Sequence, residues 1–321
     1  MAGEITRREF AKGALLASAG AAALGFQGGA ARGAEAGKPA EPSPKAPIAG
    51  DGLPLPKGKI GKVEISRVIL GGNLFVNATH SRDLRYVTSL ARHYNTKEKI
   101  LETLALAEAN GINTLALQGI TPVFREYREK RGGKIQCIYG PITPIDDGLV
   151  KYTQAVQEVI DAGVEAIYFW GCHADALVAK GQMDVITKAV EIGKAHGVPS
   201  GVAAHNLDVV VACEKHKVPA DFYIKTLHHH NYPSAKLNYD SMWCSNPQET
   251  VEVMKSVEKP WIAFKVMAAG AIPPQDAFRY SFESGADFIL PGMFDFEIAE
   301  DVRIAKEILA NLPKRTRPWR G

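Results

Sequence analysis

Nine histidines occur in the 321 residues, and five of them follow short apolar runs: His173, His205, His228, His229 and His230. Neutral imidazole is the commonest metal ligand, and it is also the side chain that titrates most readily near neutral pH. Side chains alternate along a strand, so each run can be read for the side its last residues take. Ile167, Phe169, Gly171 and His173 share one parity, as do Gly201, Ala203 and His205, and again Phe222, Ile224, Thr226 and His228. His173, His205 and His228 would then converge from three neighbouring strands, a set that suits a divalent metal (Zn, Mn or Fe) with an open position. His229 has the opposite parity and is placed with the substrate. No short metal motif such as H-E-x-x-H accompanies the cluster. Acid–base work without a metal therefore stays open, with His173 as the acid or base.

Two lysines interrupt apolar runs: Lys225 between Ile224 and Thr226, and Lys265 between Phe264 and Val266. A charge in a buried strand needs a partner or a use. It can serve as a nucleophile, as electrostatic support for a reacting carbonyl, or as half of an ion pair. Both are kept as catalytic candidates. Asn73, Gln118, Asn206, His229, Asn231 and Trp243 fall beyond the ends of runs and are the expected contacts of a small-molecule substrate. Trp243, with Trp170 and Tyr232, offers aromatic faces of the kind that suit sugar rings. Cys137, Cys172, Cys213 and Cys244 have no close spacing and predict no disulfide framework.

Positioning these groups takes alternating strands and helices. Strands are predicted at 68–70, 114–117, 135–139, 166–170, 199–204, 222–226, 261–266 and 288–291, with amphipathic helices between them. Asn95 with Glu98 opens one helix, Ile100, Leu101, Leu104 and Ala107 form its apolar face, and Gly111 closes it. Eight strand–helix pairs in about 260 residues is the arithmetic of an α/β protein of the (β/α)8 TIM-barrel class, whose sites lie at the C-terminal ends of the strands. A doubly wound sheet would open with a Gly-rich phosphate turn, of which Gly71-Gly72-Asn73 is a poor version. The barrel is expected over residues 59–312.

Hydrophobic residues make up 46% of the chain and charged residues 23%, which excludes a disordered chain and a disulfide-dense miniprotein. Net charge is 38 − 35 = +3, and four basic residues sit in the last eight positions (Lys314, Arg315, Arg317, Arg320). No basic face of the kind a nucleic-acid binder shows is left in the body. Residues 313–321 read as a solvated basic tail. At the other end, Thr6-Arg7-Arg8-Glu9-Phe10-Ala11-Lys12 precedes an Ala- and Gly-rich run over 13–26, then Ala34-Glu35-Ala36. This resembles the bacterial twin-arginine export signal with a small-x-small cleavage site. The apolar run is shorter than the ~20 residues of a membrane span, and no Cys stands at the cleavage site, so no stable membrane anchor is expected after cleavage. The resemblance implies a signal over residues 1–36, the twin-arginine translocation machinery as a partner, and a periplasmic or secreted destination. Residues 37–58 hold six prolines and read as a PPII-like linker.

Several segments of the body resemble a divergent aldo/keto reductase barrel. Val63-Glu64-Ile65-Ser66-Arg67 before Val68-Ile69-Leu70-Gly71-Gly72 is similar to that family's opening. Residues 107–115 are similar to its passage from helix 1 to strand 2, and residues 166–175 to the strand 4 segment that ends in its catalytic histidine, here His173. Residues 197–206 are similar to its strand 5, and residues 288–301 to its strand 8 and cofactor-phosphate helix. Ala116 stands where the resemblance calls for an Asp and Thr121 where it calls for the Tyr proton donor. The strand 3 run Ile135-Gln136-Cys137-Ile138-Tyr139 carries no Lys. Asp295 and Glu297 would also repel a phosphate from a helix N-terminus that could otherwise hold it. NADP(H) is therefore not expected to bind. The leading expectation is an exported barrel enzyme of lyase, isomerase or hydrolase type. It would act on a small polar carbonyl or carbohydrate-derived molecule by His- and Lys-centred proton transfer, with or without a metal. Two readings stand beside it: an NAD(P)-dependent aldo/keto reductase-like oxidoreductase, and a non-catalytic periplasmic sugar-binding protein.

Overall fold

The computed structural model describes residues 54–119, 121–235 and 241–321. The export signal over residues 1–36 and the linker up to residue 53 lie outside the described residues. The first element is a hairpin, β1 (Lys57–Ile60) and β2 (Val63–Ser66), paired antiparallel. Its two-residue turn holds Gly61 at φ 57, a left-handed conformation that a side chain resists. Ile60, Val63 and Ile65 pack against the barrel interior, and Gly61 approaches Pro199 just ahead of β7, so the hairpin plugs the N-terminal end of the barrel.

The eight barrel strands follow in chain order: β3 (Leu70–Gly71), β4 (Thr114–Leu117), β5 (Gln136–Tyr139), β6 (Ala166–Phe169), β7 (Ser200–Ala204), β8 (Tyr223–Thr226), β9 (Trp261–Phe264) and β10 (Phe288–Leu290). Each pairs in parallel with the next. The sheet closes through a parallel bridge between Val68 and Ile289, with the Ile69 amide donating to Ile289 O (2.9 Å) and the Gly71 amide to Pro291 O (2.8 Å). The TIM-barrel expectation is met.

The helices are α1 (Tyr86–Tyr94), α2 (Lys97–Ala109), α3 (Thr121–Arg131), α4 (Val150–Asp161), α5 (Gly171–Ala179), α6 (Met183–Ala195), α7 (Leu207–Lys215), α8 (Pro247–Ser256), α9 (Pro274–Glu283) and α10 (Asp295–Ala310). Both faces of the barrel strands are largely buried, as a barrel sheet covered by helices requires. Ile69, Ala116, Ile138, Ala166, Tyr168, Ala203, Phe222, Ile224, Ile262 and Phe288 fill the interior. Leu115, Leu117, Ile167, Phe169, Val202 and Ala204 belong to the separate layer that packs against the helices.

Between β3 and α2 an insertion bends over the C-terminal mouth. Asn77, His80 and Arg82 take φ values of 62, 50 and 60, a concentration of left-handed non-glycine residues of the kind found at functional sites. Arg82 fastens the insertion to the far side: one guanidinium nitrogen donates to Ala268 O (3.3 Å), and the group lies 4.3 Å from the Trp243 ring centroid.

The C-terminal run is solvated only in part, and Arg315 and Arg317 turn inward. Arg317 is 3% exposed and Asp287 fully buried. The Asp287 carboxylate accepts from the Trp261 and Arg320 amides and faces Arg317 (3.4 Å) and Arg315 (3.7 Å). Arg67 lies 3.9 Å from the Trp319 ring and donates to Gly321 O (2.8 Å). Three arginines, Arg67, Arg315 and Arg317, are gathered there because a buried carboxylate and aromatic faces receive them.

Candidate active site

A cavity of about 850 Å³ opens at the C-terminal mouth, under the insertion, where a TIM barrel carries its site. Trp170, Trp243 and Phe264 form aromatic wall, and Asn73, Gln118, Tyr168, His205 and Lys265 bring polar atoms to it. The residues at its far end are Ala269, Gly270, Ala271, Gly292, Phe294 and Glu297.

The inward parity along β7 runs through Ala203 and places His205 in the mouth. The imidazole is anchored by Asp175 on α5. Asp175 accepts from the His205 amide (3.1 Å), the Asn206 amide (2.9 Å) and His205 Nδ1 (2.7 Å). A carboxylate engaged as an acceptor from two amides has acceptor capacity to offer the ring, so Nδ1 carries the proton. Nε2 makes no hydrogen bond among the described residues and is not sealed in the protein. Burial pulls the His205 pKa below its ordinary value, with Asp175 opposing the shift. The Thr226 hydroxyl donates to His205 O (3.0 Å) and accepts from Lys225 Nζ (2.8 Å), which locks the same stretch of chain from the other side.

His173 and His228 do not join it. The strand ends at Phe169, and His173 stands in the first turn of α5, edge-on to Trp170 (4.8 Å) and away from the cavity. Alternation holds only within a strand. His228 follows β8, and its ring turns toward the chain at Cys244, where Nε2 accepts the Cys244 amide (3.0 Å). Burial lowers the His228 pKa to about 4, which keeps the ring neutral. His230 Nε2 donates to Cys244 O (2.7 Å), so two histidines brace the segment that carries Trp243. The expected metal set is thus corrected: among the described residues no group of three His, Cys, Asp or Glu side chains could hold a metal ion.

Lys225 alternates outward with Tyr223, is 1% exposed and donates to Thr226 O (3.0 Å) as well as the hydroxyl; it does not line the cavity. Lys265 does. It takes φ 59 just after β9, donates to Met242 O (2.9 Å) and to the Ser241 hydroxyl, and lies 5.0 Å from the Trp243 centroid. Of the expected substrate contacts, Asn73, Gln118 and Trp243 line the cavity. Asn206 and Asn231 point to solvent, and His229 packs on Tyr280 (5.3 Å) outside it. Sequence reasoning missed Asp175 as the partner of His205, since thirty residues separate them. It also missed Tyr168, because both parities of β6 are apolar or aromatic and the outward one was taken as inward.

At the far end the α10 carboxylates are already engaged. Asp295 accepts from the Tyr94 hydroxyl (2.7 Å) and Lys99 (3.3 Å), and Glu297 folds back to accept the Phe294 amide (2.8 Å). Beside them Ala268, Ala269 and Gly270 take φ values of 48, 59 and 84. The amides of Ala269, Gly270 and Ala271 make no hydrogen bond among the described residues.

No family model and no curated protein matches the sequence. Solved structures do match. A protein assigned as an aldo-keto reductase from Pseudomonas aeruginosa shares 13% identity over 79% of this chain and 95% of its own, with a TM-score of 0.54. The holo form of an aldo-keto reductase from Bacillus halodurans shares 10% over 78% and 91%, with a TM-score of 0.52. A chain solved in complex with NADPH shares 12% over 78% and 88%, with a TM-score of 0.54. At these identities the likeness establishes a (β/α)8 barrel of the shape aldo-keto reductases have.

Two expectations are overturned by these neighbours together with the geometry. The lyase, isomerase or hydrolase expectation is overturned, because barrels the chain matches in shape are aldo-keto reductases and the metal set does not assemble among the described residues. The expectation against NADP(H) gives way as well. One neighbour was solved with NADPH, and the two carboxylates counted as repelling a phosphate are held by Tyr94, Lys99 and the Phe294 amide.

Proposed function

We propose that this barrel is a nicotinamide-dependent oxidoreductase acting on a small carbonyl or hydroxyl compound. The observation that carries the reading is one continuous cavity that joins an Asp-backed histidine to an anion-ready end. Successive amides in a left-handed turn make a concavity suited to an anion, and a helix N-terminus adds to it. Residues 268–271 and the start of α10 would hold the phosphates of a dinucleotide. When bound, the dinucleotide supplies or accepts the hydride. The chain's own residues do the rest. Trp170, Trp243 and Phe264 exclude water, and the insertion roofs the mouth through Arg82. Gln118 and Tyr168 bring further polar atoms to the same cavity. A cavity of this size suits a small substrate beside a nucleotide moiety.

The test is titration of the purified chain with NADPH and NADH, followed by nucleotide fluorescence. Saturable binding in the micromolar range is expected, weakened at least tenfold by Gly270→Pro, whose fixed negative φ unmakes the left-handed turn and whose ring removes one of its amides. No saturable binding of either nucleotide at millimolar concentration overturns the reading. We also propose export through the twin-arginine route, supported by Arg7-Arg8 and Ala34-Glu35-Ala36. Replacing both arginines by lysine should leave precursor in the cytoplasm, and normal export of that variant would count against it.

A further inference from the structure

We propose that His205, oriented by Asp175, is the proton-transfer residue of this cavity. The chemistry assigned to it rests on the oxidoreductase reading; the geometry does not. Interconverting a carbonyl and an alcohol moves a hydride and a proton, and the proton needs a group with one free, correctly aimed valence. His205 has it. Nδ1–H is committed to Asp175 at 2.7 Å, the backbone on either side is tied to Asp175 and Thr226, and Nε2 is left to the cavity. A buried carboxylate on Nδ1 fixes the tautomer and stabilises the imidazolium that forms during transfer. Asp175 is therefore a positioning residue and His205 the catalytic one.

The other candidates on the cavity wall are worse placed. The Tyr168 hydroxyl has its pKa pushed up by burial, and no hydrogen bond to a charged side chain activates it among the described residues. Burial also raises the Cys172 thiol, against a weaker pull from Lys265. The groups that act on His205 are Asp175 from α5, Lys225 from β8 and Lys265 beyond β9, with Phe264 against its ring (5.3 Å). The two ammonium charges and burial oppose protonation, and Asp175 favours it. The resting imidazole is neutral and acts as a base toward an alcohol. The hydroxyl proton passes to Nε2 as the carbinol C–H electron pair leaves as hydride to an oxidised nicotinamide, and the C=O bond forms. In reverse, the imidazolium returns the proton to the carbonyl oxygen.

The ring can be observed without substrate or cofactor. Uniformly 15N-labelled protein is titrated from pH 4 to 9 by long-range 1H–15N correlation, with His205 assigned from His205→Gln. The expected result is an Nδ1–H tautomer that titrates below an exposed histidine, and in Asp175→Asn a mixed tautomer with a still lower pKa. In parallel, NADPH-dependent reduction of 4-nitrobenzaldehyde is measured. His205→Gln should lose at least a hundredfold in kcat with NADPH affinity within threefold of the parent. Asp175→Asn should lose tenfold or more and shift the pH profile. An Nε2–H tautomer, or a His205→Gln enzyme with parental kcat, overturns the proposal. Failure of the parent to bind either nucleotide overturns the oxidoreductase reading, and the tautomer and pKa of His205 then decide the dyad separately.

Discussion

Gly171 shows how closely the dyad is fitted. A Cβ there would lie 3.2 Å from His205 Cε1 and 3.3 Å from Nδ1. Alanine favours a helix over glycine by roughly 0.5–1 kcal/mol, so Gly171→Ala should leave the melting temperature unchanged or slightly raised. The displaced imidazole should lower kcat about tenfold, which corresponds to ~1.4 kcal/mol in the barrier. A parallel fall in both quantities would show that Gly171 serves packing alone. His228 serves stability instead. Its folded pKa of about 4 lies below the unfolded value of about 6.5. Between those values the unfolded chain binds the proton and the folded one does not, so stability rises with pH. The contribution is complete above pH ~6.5. It fades as pH falls toward 4, where the protonated ring can no longer accept the Cys244 amide. Urea melts at pH 7 and pH 4.5 should differ more for the parent than for His228→Gln, and equal pH dependence would remove this ring from the account.

Among elements, the start of α10 decides whether the cavity's far end accepts an anion. If Asp295 and Glu297 are satisfied by Tyr94, Lys99 and the Phe294 amide, neutralising them changes little for a phosphate. Asp295→Asn and Glu297→Gln should therefore tighten NADPH binding by less than threefold in the fluorescence titration. A tenfold gain would mean that the carboxylates do repel the nucleotide. Glu297→Ala removes a cap bond and should cost about 1 kcal/mol of stability, read from the urea midpoint. The insertion between β3 and α2 is the other element with a special conformation, since its left-handed residues at 77, 80 and 82 bring His80 and Arg82 across the mouth.

On the scale of the whole molecule, the two ends of the barrel have separate jobs. The N-terminal end is closed by the β1–β2 hairpin and by the C-terminal residues around Asp287. Deleting residues 315–321 leaves that carboxylate buried without its arginines. Breaking a buried pair in this way costs about 3–5 kcal/mol, and for a chain of this size a melting temperature lower by roughly 10 °C is expected. Calorimetry checks the figure. Nicotinamide binding, at the opposite mouth, should be the same in the truncated chain wherever it remains folded. A truncated chain that melts with the parent would show the C-terminal contacts to be ornamental.

The alternation of apolar runs with amphipathic helices is local information, and it was enough for the eight-stranded barrel, for the C-terminal mouth as the place to look, and for His205, Lys265, Asn73, Gln118 and Trp243 within it. It could not say where each strand stops. Phe169 ends β6 four residues before His173, and Thr226 ends β8 two before His228, so parity carried both histidines to places they do not occupy. The Asp175–His205 pair joins residues thirty positions apart, and the Asp287–Arg317 pair joins two more. Contacts of that kind exist only once the sheet has closed, because the fold, and no local propensity, sets the distance between the groups that make them.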